Sequence, residues 1–186
     1  LFRSKLCAKR AHTLCLSFPA AKRAFEDHVG PHTKVILTGN PVRQSVVSAT
    51  RAAGRARLGV PQDAQVLLVF GGSLGAQHLN QGVTALKQKL LARDGLYVIH
   101  STGARDFEAT RDALGLSDAE AMRWRLMAYI QDMGDALAAC DLVLSRAGAS
   151  SIAEIAALAV PSVLVPYPYA TENHQFNRIT SDGRVG

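Results

Sequence analysis

Three loops hold residues whose types and spacing could do chemistry. The first, Gly71-Gly72-Ser73-Leu74-Gly75-Ala76, follows an apolar run and opens a helical pattern. Glycines let a ligand approach the backbone, and a helix start presents unpaired N–H groups at the positive end of its dipole, which suits phosphate. No Lys-Ser/Thr pair follows, so it is not a P-loop. A dinucleotide fingerprint would place a carboxylate about 20 residues or more further on, at the end of the second strand. The sequence has His100-Ser101-Thr102-Gly103 there, which disfavours an NAD-dependent oxidoreductase. By itself the loop reads equally as a phosphate site or a tight structural turn.

The second loop runs from Ser145 to Glu154. Its spacing Ser151-x-x-Glu154 is that of a capping box, in which the carboxylate reaches back to a backbone N–H. The functional alternative is that Glu154 accepts hydrogen bonds from a ribose diol. Spacing alone favours the cap, although a capping carboxylate can still present its second oxygen to a ligand. The third loop, 166–177, carries Glu172, Asn173, His174, Gln175 and Asn177. Amide side chains both donate to and accept from sugar hydroxyls. A lone histidine is more often a surface or packing residue, but this one stands among amides. Three such loops on one sheet edge point to a nucleotide-sugar site, where one alone would not.

The elements that must position these loops alternate. The runs 65–70, 96–101, 125–129, 141–146 and 161–166 are short, apolar and bounded by Gly, Pro or Asp, as strands are. Helical patterns cover 76–91, 104–114, 132–139 and 151–158 between them. Strands with little polar alternation, linked by helices, predict a parallel sheet covered on both faces, and hence a doubly wound, Rossmann-like domain. Upstream, 12–18 and 33–38 read as two further strands around a short helix at 20–27. Gly39-Asn40-Pro41 is a turn-forming break, followed by a predicted long basic helix from Gln44 to about Leu58.

Of the 186 residues 48% are hydrophobic and 19% charged, which excludes a disordered or collagen-like chain. The net charge of +6 is uneven: residues 1–60 hold 11 basic and 2 acidic side chains, and the remainder is net acidic. Such asymmetry points to an anionic partner for the N-terminal part, either nucleic acid or a membrane surface, or else to a solvated basic helix. Aromatics make up only 6% and are not interleaved with the basic residues, so stacking platforms for nucleic acid are lacking. Cys7, Cys15 and Cys140 form no CxxC pair, imply neither zinc nor a disulfide framework, and are expected to pack as small apolar residues. The N-terminus is no signal peptide, and the apolar stretch near 152–170 is broken by Glu154 and three prolines, so no membrane span is expected.

Taken in order, GNPVR (39–43), FGGSLGAQHLN (70–80), YIQDM (129–133), SRAGASSIAE (145–154) and PYPYATENHQFN (166–177) closely resemble the MurG family of bacterial N-acetylglucosaminyltransferases. The resemblance implies an α/β fold of GT-B type. Its Rossmann-like doubly wound parallel sheet would form a C-terminal donor domain, joined to a remnant of the N-terminal domain. The implied division is 1–37 as the end of an acceptor and membrane-docking domain, 38–43 as interdomain linker, and 44–186 as UDP-sugar donor domain. The implied reaction moves N-acetylglucosamine from UDP-N-acetylglucosamine to the muramyl 4-hydroxyl of lipid I, with inversion, forming lipid II for peptidoglycan.

Carried over by motif, Arg43 contacts the donor's diphosphate region, and Gly72 and Ser73 lie against phosphate. Ile130 meets uracil mainly through its backbone, and Ala149, Ser150 and Ser151 line the phosphate-facing helix start. Glu154 holds the ribose, which reverses the preference for a bare cap. Gln175 holds sugar hydroxyls, with His174 and Asn177 beside it. The resemblance also implies a cytoplasmic enzyme, peripheral on the inner face of the plasma membrane and meeting its anionic surface, with no nucleic-acid partner. No acidic metal-binding cluster stands near the phosphate loops, so neither metal nor cofactor is expected. The family's N-terminal glycine-rich loop and histidine have no counterpart here. The general base and lipid I contacts are therefore expected outside this chain, which would bind donor without turnover. The rivals are a UDP-N-acetylglucosamine 2-epimerase-like GT-B enzyme, which would need more acid–base groups at the sugar than His174 and Glu172, and a basic nucleic-acid-binding module.

Overall fold

A computed structural model describes residues 2–72 and 76–166 of the chain. They fall into two compact units, divided between Pro41 and Val42. In the first, α1 (Phe2–Ala8) precedes β1 (Thr13–Leu16), α2 (Ala21–Phe25) with a following 3-10 turn, and β2 (Lys34–Leu37). The two strands pair in parallel, Thr13 opposite Lys34. Ala8, Leu16 and Phe25 form a small core between them and the helices. Cys7 and Cys15 are exposed, contrary to the apolar packing expected of all three cysteines; only Cys140 is buried. In this unit the strands are short, and Cys15 alternates outward from Leu16.

The second unit opens with α3 (Gln44–Val47) and α4 (Arg51–Leu58). The single long helix expected over 44–58 is therefore two. Thr50 adopts an extended conformation and its hydroxyl accepts the Ala53 N–H, so the chain caps and restarts there. The remaining elements are β3 (Gln65–Phe70), α5 (Gln77–Ala85), α6 (Lys87–Leu91), β4 (Leu96–Ser101), α7 (Phe107–Leu114), α8 (Asp118–Ala121), β5 (Trp124–Met127), α9 (Met133–Ala139), β6 (Leu142–Arg146), α10 (Ala149–Ala157) and β7 (Ser162–Val165). The helix expected over 76–91 is likewise interrupted, at Leu86. Among the described residues no helix is long and apolar enough to cross a membrane.

The five strands of this unit form one sheet in the order β5-β4-β3-β6-β7, parallel throughout. Alternate side chains of β3 go to opposite faces, as the period of two requires. Val66, Leu68 and Phe70 join Val46, Leu137 and Ile155 in a core under α3, α9 and α10. Val69 joins Leu79, Val83 and Leu114 under α5 and α7. Apolar burial on both faces is why the strands read as continuous hydrophobic runs.

Close helix packing depends on two glycines. A Cβ on Gly54 would collide with the Asp135 carbonyl, and one on Gly134 would collide with the Ser45 carbonyl and Val46. Their absence lets α9 lie directly against α3 and α4. Beside this contact Arg55, fully buried, donates from Nε to the Ala139 carbonyl, from Nη1 to the carbonyls of Pro61 and Gln62, and from Nη2 to Asp141.

Candidate functional site

The sheet order places a crevice at one definite point. From β3 the chain moves outward through β4 to β5, then returns to the opposite side of β3 with β6 and β7. Where the direction reverses, the loops leaving two adjacent strands part to opposite faces, and ligands of open α/β sheets bind beyond the carboxyl ends there. The reversal lies between β3 and β6, whose last paired residues are Phe70 and Ser145. Gly71 and Gly72 leave one strand end, and Arg146, Ala147 and Gly148 leave the other.

Each strand end feeds a helix start. On the β3 side Gly71 packs so closely on Ala76 that any Cβ there would overlap its side chain, and Gly72 has φ +94°, a left-handed value natural to glycine. Ser73 lies outside the described residues. On the β6 side, Gly148 is extended and α10 begins at Ala149. Ser150 is exposed, and Ala149 and Ser151 are half-buried within the first turn.

The start of α10 at Ala149 overturns the capping-box reading of Ser151 and Glu154. Ser151 is already helical, so it cannot serve as N-cap, and Glu154 falls in the second turn. Its carboxylate instead meets Arg43: Nε and Nη2 of the guanidinium lie 3.0 and 2.9 Å from Oε1. Both contacts fall on one oxygen, so Oε2 takes no part in the pair. Glu154 is 12% exposed and Arg43 56% exposed in their side chains, so the pair has one sheltered and one open partner. Exposure of the arginine limits what the pair itself adds to stability. Arg43 stands at the N-cap of α3, on the chain segment that enters the unit.

Ile130, in the loop after β5, is buried in the same core as Val46 and Ile155. Only its main chain is left to face a ligand. Of the predicted residues, Gly72 and Ile130 lie in loops after β3 and β5, Arg43 is the N-cap residue of α3, Ala149, Ser150 and Ser151 form the first turn of α10, and Glu154 follows in the second turn in direct contact with Arg43. His174, Gln175 and Asn177 lie outside the described residues. Among the described residues no three His, Cys, Asp or Glu side chains gather closely enough to hold a metal ion.

A buried polar group next to this edge escaped the sequence reading. Asn80 of α5 faces His100 of β4, with Oδ1 and Nε2 3.0 Å apart. Its Nδ2 donates to the Thr102 carbonyl at 3.0 Å and to Asp106 at 3.3 Å. Arg105 donates to the same Asp106 carboxylate. Burial lowers the pKa of His100 to about 4, so the ring is neutral at pH 7. Asn80 lies within the motif 70–80, but partners twenty or more residues distant left no local signal.

The arginines that make segment 43–57 look like a basic stripe are engaged within the unit. Arg43 pairs with Glu154, Arg51 and Arg55 with Asp141, and Arg57 with Asp135. Of the four only Arg55 is buried; Arg43, Arg51 and Arg57 keep about half or more of their side chains exposed while paired.

The family described as glycosyltransferase family 28 C-terminal domain matches residues 66–179. The UDP-N-acetylglucosamine--N-acetylmuramyl-(pentapeptide) pyrophosphoryl-undecaprenol N-acetylglucosamine transferase of Acetivibrio thermocellus is 37% identical over 183 residues, covering 98% of this chain and 48% of that protein. The protein of the same description from Desulforudis audaxviator is 42% identical over 151 residues, covering 80% and 40%. Among solved structures, MurG of Acinetobacter baumannii superposes with a TM-score of 0.62 at 28% identity, over 97% of this chain and 46% of that one. The chain spans about half the length of the curated relatives it matches.

Proposed function

The chain belongs to the family of glycosyltransferase family 28 C-terminal domains, and from that premise we propose that it is the donor-binding part of an inverting N-acetylglucosaminyltransferase. The donor is UDP-N-acetylglucosamine. The acceptor is the muramyl 4-hydroxyl of lipid I, and the product is lipid II. The observation that carries this reading is the position of Glu154: a sheltered carboxylate at the strand-order reversal, held by Arg43 through one oxygen with the other left for a ribose diol.

The remaining roles follow from what each group can offer. The first-turn amides of α5 and α10 point out of helix starts at the crevice, where the diphosphate gains charge as UDP departs. Fixed donors of this kind stabilise the leaving group without reorganising. The main chain of Ile130 can donate to and accept from a uracil edge, which matches a base with both functions. Arg43 is placed to hold Glu154 and, through the guanidinium's remaining N–H groups, a phosphate oxygen. Ser73, His174, Gln175 and Asn177 complete the donor site in this proposal, with the amides on sugar hydroxyls. The general base and the lipid I contacts belong to the part of the relatives that these residues do not span. We place the enzyme in the cytoplasm at the inner membrane face, the basic side chains of residues 1–34 meeting anionic lipid, and assign it no nucleic-acid partner.

Calorimetric titration tests the site. Glu154→Gln should weaken UDP binding by about 1–3 kcal/mol, since a charged acceptor to two hydroxyls is replaced by a neutral one. Against 2′-deoxy-UDP the wild-type chain should already show much of that loss, and the variant should lose little more. Equal affinity of wild type and variant for UDP would remove Glu154 from the site. Arg43→Ala should reduce affinity for UDP more than for uridine; equal losses would limit Arg43 to holding the carboxylate.

A further inference from the structure

Asn80 engages every polar atom of its amide although it is only 2% exposed. Its Nδ2 donates to the Thr102 carbonyl, so Oδ1 faces His100 and must accept from Nε2–H. His100 Nδ1 has no hydrogen-bond partner, which agrees with a neutral ring carrying its proton on Nε2. The amide is thereby held in one orientation. Thr102 passes the connection on: its N–H donates to the Met127 carbonyl at 3.0 Å, at the end of β5 and three residues before Ile130.

Helix α5 otherwise rests on the sheet through Leu79 and Val83. Apolar contacts are non-directional and allow a helix to slide or rotate by fractions of an ångström. The three polar contacts of Asn80 are directional and remove that freedom. They connect the helix that opens after Gly71 and Gly72 to the loop after β4, and through Thr102 to the loop that holds Ile130. A nucleoside diphosphate would touch both ends of this connection, and a nucleoside only one.

We propose that Asn80 is a positioning residue of the nucleotide site, setting the start of α5 at a fixed spacing from the loop that carries Ile130, so that phosphate and base are met together. The assignment rests on the donor-site reading above. It differs from a packing role in one measurable way. Loss of the spacing costs a ligand that bridges both ends its second attachment, and leaves a one-ended ligand nearly untouched.

The test compares wild type, Asn80→Ala and the milder Asn80→Ser in the 186-residue chain, by titration with UDP and with uridine and by thermal melting. UDP affinity should fall about tenfold, uridine affinity should change less than about twofold, and the variants should still melt cooperatively. Equal losses for the two ligands, or no loss of UDP affinity, would overturn the proposal. So would failure of both variants to melt cooperatively, because Asn80 would then hold the fold and not the site. A wild-type chain that binds no UDP would overturn the donor-site reading and this proposal with it, and that outcome is visible before any variant is made.

Discussion

Replacing Arg55 with alanine should lower the unfolding free energy by about 3 kcal/mol, a large share of the 5–15 kcal/mol usual for a domain. The guanidinium is fully buried and satisfies three main-chain carbonyls, those of Ala139, Pro61 and Gln62, together with Asp141. Truncation leaves those acceptors without their donor and opens a cavity between α4 and β6. Water can reach Pro61 and Gln62, which are exposed, so the cost stays below the sum over all the lost bonds. Asp141 loses less than its partner. Burial raises its carboxyl, but the hydrogen bonds from Arg51 and the Val66 N–H and the two nearby arginine charges outweigh that and hold it below the usual range. Arg51→Ala serves as the control: that side chain is about half exposed, and its removal should cost less than about 1 kcal/mol. Urea unfolding of the two variants measures the difference, and equal destabilisation would mean that Arg55 is no more than another surface ion pair.

Acidification should destabilise the chain through His100. Its folded pKa, lowered to about 4 by burial, lies beneath the unfolded value near ~6.5. Between those two values the unfolded chain binds a proton that the folded chain excludes. This contribution is therefore fully present above pH ~6.5, falls as the pH drops, and is exhausted near pH 4. The total is on the order of 3 kcal/mol, with a slope of at most about 1.4 kcal/mol per pH unit. His100→Asn should flatten the profile between pH 6.5 and 5, above the range in which most carboxylates titrate. An unchanged slope in that variant would assign the acid sensitivity to other groups.

What could be read from the residues depended on whether a signal was local. The runs that became β3 and β4 declared themselves because side chains on both of their faces are buried, which leaves a largely apolar run; β7, at the edge and with Val163 half exposed, was legible from its valines and flanking prolines alone. The S-x-x-E spacing was less faithful. At Ser117 and Glu120 it is a true capping box at the start of α8, with the side chains exchanging both hydrogen bonds. At Ser151 and Glu154 the same spacing is interior, because Gly148, extended and without a side chain, starts the helix earlier. Helix phase, not spacing, separates the two. Thr50, an N-cap residue type, stands inside the stretch read as one basic helix over 44–58, and its capping role shows only in the extended backbone it adopts. The Arg43–Glu154 contact joins segments 111 positions apart, and the bonds of Asn80 depend on how α5 is set over β4. Neither follows from a window of sequence. Motif likeness pointed to Arg43 and Glu154 separately, as diphosphate and ribose contacts, and said nothing of their pairing with each other.

The strand order also bears on how the chain is made. β3 is the first strand of its sheet to be synthesised and the one that ends at the centre, paired on both sides. Its partner β4 emerges soon afterwards. Its other partner, β6, follows β4 only after β5 and three further helices, α7, α8 and α9, have been made. At typical elongation rates of about 5–20 residues per second, one edge of the most apolar strand stays open for several seconds on the ribosome. Non-local parallel pairing of this kind folds slowly and is exposed to aggregation while it waits. Nascent chains stalled just before β6 should therefore be the ones that associate with one another or with a chaperone, and extending them through β6 should release them.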